Sequence, residues 1–147
     1  MPLHFAYGAN MDRVAMASRC PRSTRLGPAT LMRHRLAVMR EGWLTVARDP
    51  RARVHGVLWN LALADVAALD RFEGVGEGLY VKAVQPVLAE IGPRRALVYL
   101  GANAGPGRGR RDYLRDVLAA AHAVGLPREA IEALERLVRD APERSPR

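Results

Sequence analysis

Short alternating strands joined by tight turns constrain the fold of this chain more than any other feature of its sequence. Arg53–Leu61 is the clearest of them, because its successive side chains fall on two opposite faces. The other stretches that predict strands are 3–7, 25–32, 35–40, 43–48, 80–90 and 95–100. Most connections between them are short, which favours an antiparallel or mixed sheet that curls toward a barrel over a doubly wound fold.

Three helices are predicted beside this sheet. Residues 63–73 have helical spacing, residues 111–124 form an amphipathic pattern, and residues 127–139 begin at a proline. The predicted fold class is therefore α+β: a small mixed or antiparallel barrel-like sheet with a central helix and two C-terminal helices. We expect one domain over residues 1–140 and a flexible tail over 141–147, where proline and charge accumulate.

Length and composition are those of an ordinary globular protein. The chain has 147 residues, 49% hydrophobic and 26% charged, which is enough to bury a core. No apolar run is long enough to cross a bilayer, and no charged-then-apolar leader opens the chain, so we expect no membrane association. The single cysteine, Cys20, excludes an internal disulfide and favours a reducing compartment. We therefore expect a cytoplasmic protein.

The chain is strongly basic, with a net charge of +8 from 23 Lys and Arg against 15 Asp and Glu. Such a balance suits a nucleic acid or an anionic substrate. Aromatic residues make up only 5% of the chain, however, and they do not interleave with basic residues as in a stacking platform. Because the arginines are spread from Arg13 to Arg147, we interpret them as dispersed, solvated side chains and do not expect nucleic acid as a partner.

Glu73 stands out within the predicted central helix. Its spacing places it on the same face as the apolar Val66 and Leu69, and Gly74 reads as the glycine just past the helix end. A carboxylate there is buried at the negative end of the helix dipole, and both effects raise its pKa toward the range of a general base. A solvated glutamate beside a C-cap glycine accounts for the same residues, so this stretch alone leaves both interpretations open.

A second candidate site directly follows the first predicted strand. In Tyr7-Gly8-Ala9-Asn10, Gly8 permits a close backbone approach and Asn10 tolerates left-handed geometry. Consecutive N–H groups in such a turn can bind an anion. The alternative is a turn that simply ends the strand.

Familiar catalytic and metal-binding sets are missing from the sequence. There is no G-x-S-x-G motif, and Cys20 precedes a proline without a nearby histidine. We expect no metal and no cofactor. Core or surface roles are expected for the histidines, which lack metal-ligand spacing: His4, His34, His55 and His122.

Residues 101–111 form a loop rich in glycine and arginine. The loop lacks the G-K-[ST] of a phosphate-binding loop. We interpret it as a mobile surface loop that could bring Arg108, Arg110 or Arg111 near an anionic ligand.

Several motifs, in order, resemble those of the γ-glutamylcyclotransferase-like (AIG2-like) family. Phe5-Ala6-Tyr7-Gly8-Ala9-Asn10-Met11 resembles the F-x-Y-G-S-N-L signature that opens its members, and His55-Gly56-Val57-Leu58-Trp59 resembles their G-V-x-W strand. The stretch 69–80 is similar to the segment that carries the family's catalytic glutamate, and Tyr113 with Gly125-Leu126-Pro127 resembles its C-terminal helix pair. Ala9 departs from the usual serine, and Met11 from leucine.

The resemblance implies a cofactor-independent enzyme that converts a small γ-glutamyl amide into 5-oxoproline and a free amine, with Glu73 as general acid and base. It implies substrate binding by Tyr7, Gly8, Ala9, Asn10, Met11, Tyr80 and Tyr113. A homodimer is compatible with it. Two other functions stay open: a non-catalytic relative that only binds small molecules, and a basic RNA-binding module.

Overall fold

The computed structural model of the protein describes residues 2–143, and in this part of the chain five strands close into a barrel. Their order around the barrel is β1-β3-β2-β4-β5. Strands β1 and β5 pair in parallel, and the other neighbours pair antiparallel. The strands are β1 (Leu3–Ala6), β2 (Thr24–Val38), β3 (Leu44–Asn60), β4 (Tyr80–Ala89) and β5 (Gly92–Gly101). The predicted mixed, barrel-like α+β fold is confirmed.

The long strands β2 and β3 correct the prediction of four shorter ones. Met32 pairs with Arg53 and His34 with Arg48, so Arg33 alone lies opposite residues 49–52. Asp49-Pro50 resembles a break in the sequence, but the two strands resume pairing on its far side. The interruption is therefore a β-bulge, which bends a strand without ending it.

Four α-helices and two 3₁₀ turns surround the barrel in the described residues. The helices are α1 (Arg13–Arg19), α2 (Val66–Phe72), α3 (Arg111–Val124) and α4 (Arg128–Asp140), and the 3₁₀ turns are Ala9–Met11 and Leu63–Asp65. The prediction of α3 is confirmed at both ends. The predicted central helix is split into a 3₁₀ turn followed by α2, and Glu73 is its C-cap residue.

Polar contacts fix the ends of the short helices α1 and α2. The carboxylate of Asp12 accepts a hydrogen bond from the Val14 N–H at 3.2 Å, which caps α1. Gly74 has φ +65°, a left-handed conformation that glycine adopts without strain, and it follows the end of α2 as predicted. Buried Asp65 accepts from the Ser23 hydroxyl at 2.8 Å and thereby links the segment after α1 to the start of α2.

The core fills the barrel and extends beneath the helices. Its largest fully buried side chains include Phe5, Leu58 and Leu114. Gly56 on β3 lies so close to β1 that a Cβ there would stand 2.2 Å from the Ala6 carbonyl oxygen. This close approach leaves no room for a side chain at position 56, next to the end of β1.

The C-terminal end of the described chain packs on the protein. Ala141 is buried, although the sequence places it in a flexible tail; the rest of that predicted tail lies partly outside the described residues, at 144–147. None of the described helices has the length and apolar character needed to cross a membrane.

Candidate active site

A cavity of about 900 Å³ lies where the turn after β1 meets α1, the end of α2 and the start of α3. The sequence predicts that this turn and Glu73 face one cavity, and the structure brings them together there. Seven of the eight predicted site residues line it: Tyr7, Gly8, Ala9, Asn10, Glu73, Tyr80 and Tyr113.

Glu73 is anchored to the turn by Asn10. The Asn10 side-chain amide donates a hydrogen bond to Glu73 Oε1 at 2.8 Å. The Glu73 backbone N–H donates to the Leu69 carbonyl at 3.0 Å, which keeps the residue on the last turn of α2. No hydrogen bond from a described residue occupies Glu73 Oε2, so this oxygen is available to a ligand.

Burial raises the pKa of Glu73 from 4.5 to about 7, against the opposing effects of the Asn10 hydrogen bond and the Arg19 charge. Removing a carboxylate from water disfavours its charged form. Here this effect is larger than the stabilisation of the charged form by Asn10 and Arg19. A carboxyl group with a pKa near 7 can both accept and return a proton at neutral pH.

Arg19 lines the cavity, a placement that the sequence interpretation missed. Its guanidinium donates to Asn10 Oδ1 at 2.8 Å and lies over the Phe72 ring, 3.5 Å from the centroid. The contact with Oδ1 orients the Asn10 amide so that its N–H₂ group points at Glu73. No linear motif links residues 10, 19 and 73, since they meet only when α1 and α2 pack at the same cavity.

The turn after β1 presents backbone donors to the cavity. Among the described residues, the N–H groups of Gly8, Ala9 and Asn10 have no carbonyl partner, whereas the next two amides donate to the Gly8 and Ala9 carbonyls at 3.1 and 3.3 Å. The Asn10 carbonyl accepts from the Trp59 indole at 3.0 Å, which holds the turn against β3. The turn therefore offers the free amides that an anion-binding site requires.

Four tyrosines form the wall of the cavity, and most of their hydroxyl protons are already used. Tyr7 donates to the Tyr99 carbonyl, Tyr80 to the Leu44 carbonyl, and Tyr99 to Asp70. The Tyr113 hydroxyl instead accepts from the Leu44 N–H at 3.2 Å, so its own proton remains available to a ligand. Burial raises the pKa of Tyr80, Tyr99 and Tyr113 well above the ordinary value, so all three are neutral donors.

Residues 4–116 of this chain match the sequence model of a protein family described as "Gamma-glutamyl cyclotransferase, AIG2-like". The chain belongs to this family. The matched range runs from β1 into α3 and includes the turn, Arg19, Glu73 and Tyr113. The resemblance that the sequence motifs indicated is therefore confirmed.

Similar proteins extend the family fold beyond that range. A "Gamma-glutamylcyclotransferase" of Mus musculus is 28% identical, and the match covers 92% of this chain and 78% of the relative. A solved "Gamma-glutamyl cyclotransferase" structure has a TM-score of 0.90 at 24% identity, covering 99% of this chain and 92% of that one. The structure of an uncharacterized Homo sapiens protein has a TM-score of 0.88 at 25% identity, covering 99% and 91%. Both structural matches include α4, which lies outside residues 4–116.

Met11 is the one predicted substrate-binding residue that does not line the cavity of this family member. Its side chain is fully buried in the core. The residue ends the 3₁₀ turn, and a helical turn directs successive side chains to different faces, so Met11 points inward while Asn10 faces Glu73. Its side chain packs behind the turn, and binding of substrate by Met11 stays a prediction.

His4 and Tyr99 line the cavity although the sequence interpretation assigned them no part in the site. The imidazole of His4 is 2% exposed, its Nδ1 lies 3.2 Å from the Leu97 carbonyl, and its Nε2 has no partner among the described residues. Burial lowers the pKa of His4 to about 4, so the ring is neutral and Nε2 is an acceptor when Nδ1 carries the proton. No sequence pattern marks His4 as a cavity residue, because a histidine inside a strand is ordinarily a core residue.

The loop over residues 101–111 packs on the β2–β3 turn. Asn103 Oδ1 accepts from the Arg40 N–H at 2.8 Å, and a Cβ at Gly107 would stand 1.8 Å from the Met39 carbonyl oxygen. The glycines thus permit close packing, which corrects the interpretation of a mobile surface loop. Arg110 lies over the Trp43 ring at 4.4 Å, and Trp43 lines the cavity, but none of the loop's three predicted ligand-binding arginines does.

Within residues 2–143, no group of three or more His, Cys, Asp or Glu side chains is arranged to hold a metal ion.

Proposed function

We propose that this protein is a γ-glutamyl cyclotransferase acting on a small γ-glutamyl amide, with Glu73 as its general acid and base. The substrate's α-amine attacks its own γ-carbonyl carbon, the new C–N bond closes a five-membered lactam, and the original amide C–N bond breaks. The products are 5-oxoproline and a free amine. The observation that carries the proposal is a carboxyl group of pKa about 7, held by Asn10 in a cavity of about 900 Å³.

The nucleophile belongs to the substrate, so the protein's first task is to fold that substrate. Holding two reacting groups in a near-attack geometry can supply ~7–11 kcal/mol of the barrier. The tyrosine wall and the turn give the cavity fixed, hydrogen-bonded surfaces for this purpose. Membership of the cyclotransferase family supports the same assignment.

Glu73 provides the proton transfers. Its carboxylate takes a proton from the substrate α-ammonium, which makes the amine nucleophilic, and returns the proton to the departing nitrogen. Oε1 stays bound to Asn10, while Oε2 is available for both transfers. Because its pKa lies near 7, the group is neither too weak a base nor too weak an acid at neutral pH.

The developing oxyanion needs neutral donors, and the site contains two kinds. The amides of Gly8, Ala9 and Asn10 have no carbonyl partner among the described residues. The Tyr113 hydroxyl stands next to the turn, 3.2 Å from the position that a Cβ of Gly8 would occupy, and its proton is uncommitted. One set can stabilise the oxyanion while the other holds the substrate α-carboxylate.

The test is a panel of γ-glutamyl amino acids, γ-glutamylamines and γ-glutamyl peptides, assayed for 5-oxoproline. We expect Glu73→Gln to lower the rate ~10²–10⁴-fold, the usual contribution of one general base. The amide oxygen of the variant still accepts from Asn10, so the site keeps its shape.

Glu77→Gln is the matched control, because Glu77 is exposed and does not line the cavity. It should retain full activity. Equal turnover by the two variants would refute the role of Glu73. Binding of γ-glutamyl compounds by the unmodified protein without any 5-oxoproline would instead identify a non-catalytic relative.

A further inference from the structure

A second concave surface lies on the protein between the β2–β3 bulge and α4. This groove has a volume of about 750 Å³ and shares only Tyr7 with the lining of the candidate active site. Its wall carries five exposed arginines from three separate elements: Arg33, Arg35, Arg51, Arg53 and Arg136.

The groove has a surplus of positive charge. Its lining contains one acid, Glu129, which binds Arg53 at 2.8 Å and also contacts His55. Asp49 lies beside the groove and accepts from the Arg51 backbone N–H. Within residues 2–143, the other four arginine side chains of the groove make no ion pair or hydrogen bond. Like charges gathered around one concavity repel each other, and a bound anion would relieve that repulsion.

The backbone of the groove is strained at one arginine. Arg33 has φ +58°, the only positive φ of a non-glycine residue in the described chain, and it lies at the bulge. A bulky side chain in this conformation is costly, and such residues cluster at ligand sites. The bulge re-aims Arg33 and carries residues 50–52 into the wall of the groove.

The shape and chemistry of the groove indicate the size of its ligand. The arginines line one concave surface from three separate elements, and this lining offers no exposed aromatic ring on which single-stranded bases could stack. Aliphatic side chains such as Leu36, Ala133 and Leu137 form its floor. We propose that this groove binds a compact phosphorylated small molecule with at least two anionic groups, of the size of a nucleoside triphosphate. Arginine suits such a ligand because its planar fork binds phosphate oxygens in pairs.

Calorimetric titration of the full chain at about 150 mM salt, where surface charge is screened, tests the proposal. The probes are tripolyphosphate, ATP and adenosine. We expect the two phosphates to bind and adenosine not to bind. ATP binding more tightly than tripolyphosphate would show that the aliphatic floor contributes, and equal affinity would identify the phosphate chain as the whole ligand determinant; either result supports the site.

Two pairs of variants locate the binding. Arg35→Gln with Arg136→Gln should weaken it by about tenfold or more, because charge-assisted hydrogen bonds are lost. Arg94→Gln with Arg95→Gln removes the same charge from exposed positions on β5 outside the groove and should change affinity by less than about twofold. Glu129→Gln should tighten binding, whereas Glu132→Gln, exposed on the same helix but outside the lining, should not.

Three outcomes would overturn the proposal: no binding of either phosphate, equal weakening by both arginine pairs, or tighter, groove-dependent binding of a single-stranded RNA than of ATP. The melting temperature of each variant checks its folding. Turnover of a γ-glutamyl substrate by the Arg35 and Arg136 double variant should be unchanged, because neither residue lines the other cavity.

Discussion

At Glu73, the burial that suits a carboxylate to proton transfer also works against the stability of the fold. Its pKa is about 7 in the folded protein and near 4.5 when solvated. Between these two values the folded state binds more protons than the unfolded state, so the free energy of unfolding falls as the pH rises through this window. Above pH 7 the full penalty is present, on the order of 3 kcal/mol at about 1.4 kcal/mol per unit.

Glu73→Gln should therefore raise stability in a pH-dependent way. The variant lacks a buried charge, so its melting temperature should exceed that of the unmodified protein at pH 8 and converge with it near pH 4.5. Thermal melts across this range measure the difference. A gain that is equal at both ends would show that the effect comes from packing and not from the carboxylate charge.

Arg19 tunes the same carboxylate through charge. Because its guanidinium lowers the pKa of Glu73 and holds Asn10, Arg19→Met should shift the acid limb of the kcat/KM profile to higher pH. The loss should be severalfold below pH 7 and smaller at pH 8.5. Arg13→Met, exposed at the first position of the same helix, should leave the profile in place. A uniform loss at every pH would mean that Arg19 acts on structure alone.

At the scale of elements, the turn after β1 works because three neighbours hold it. Met11 fills the core behind it, Trp59 on β3 binds the Asn10 carbonyl, and Gly8 passes close to Tyr113 on α3. The turn therefore takes its shape from tertiary contacts as well as from its own residues. Its amides are positioned relative to Glu73 by elements distant in the sequence.

Gly8→Val should damage this arrangement. The Gly8 backbone has φ −130°, so the damage would come from crowding: a Cβ would lie 3.2 Å from the Tyr113 hydroxyl, and the γ carbons need further room. Displacing the turn by about 1 Å can cost on the order of 10² in kcat/KM. Steady-state kinetics measures the loss, and Ala9→Ser is the control that should stay active. Unchanged turnover in Gly8→Val would reduce the turn to a simple strand ending.

At the scale of the whole molecule, the helices complete the site that the barrel begins. Leu114 on α3 is fully buried, directly after Tyr113, so core packing and the cavity wall depend on the same helix. The oligomeric state remains a prediction, and sedimentation of the protein in solution would test whether it forms a homodimer.

Leu114→Ala should cost 2–5 kcal/mol of unfolding free energy, about the usual penalty for a cavity left by a core leucine. Denaturant titration measures the loss. Leu63→Ala is the matched control, because Leu63 is 72% exposed and Leu114 is 0% exposed. The control should stay within about 0.5 kcal/mol of the unmodified protein. Similar costs for both substitutions would contradict the placement of α3 against the core.

Local patterns in the sequence were sufficient for most of the elements. Alternation predicted the barrel strands, the amphipathic period predicted α3, and Gly74 marked the end of α2. These features depend on contacts between near neighbours in the chain, which periodicity and turn chemistry describe. The motifs that resemble the family pointed to the turn after β1 and to Glu73 as parts of one site.

Only the tertiary structure decided how that site is held and charged. Asn10 and Glu73 are 63 positions apart in the chain, and Arg19 reaches Asn10 only because α1 and α2 pack at the same cavity. The continuity of β2 and β3 across the bulge likewise depends on pairing between strands. Burial, which raises the pKa of Glu73, is a property of the folded surface and has no counterpart in a local pattern.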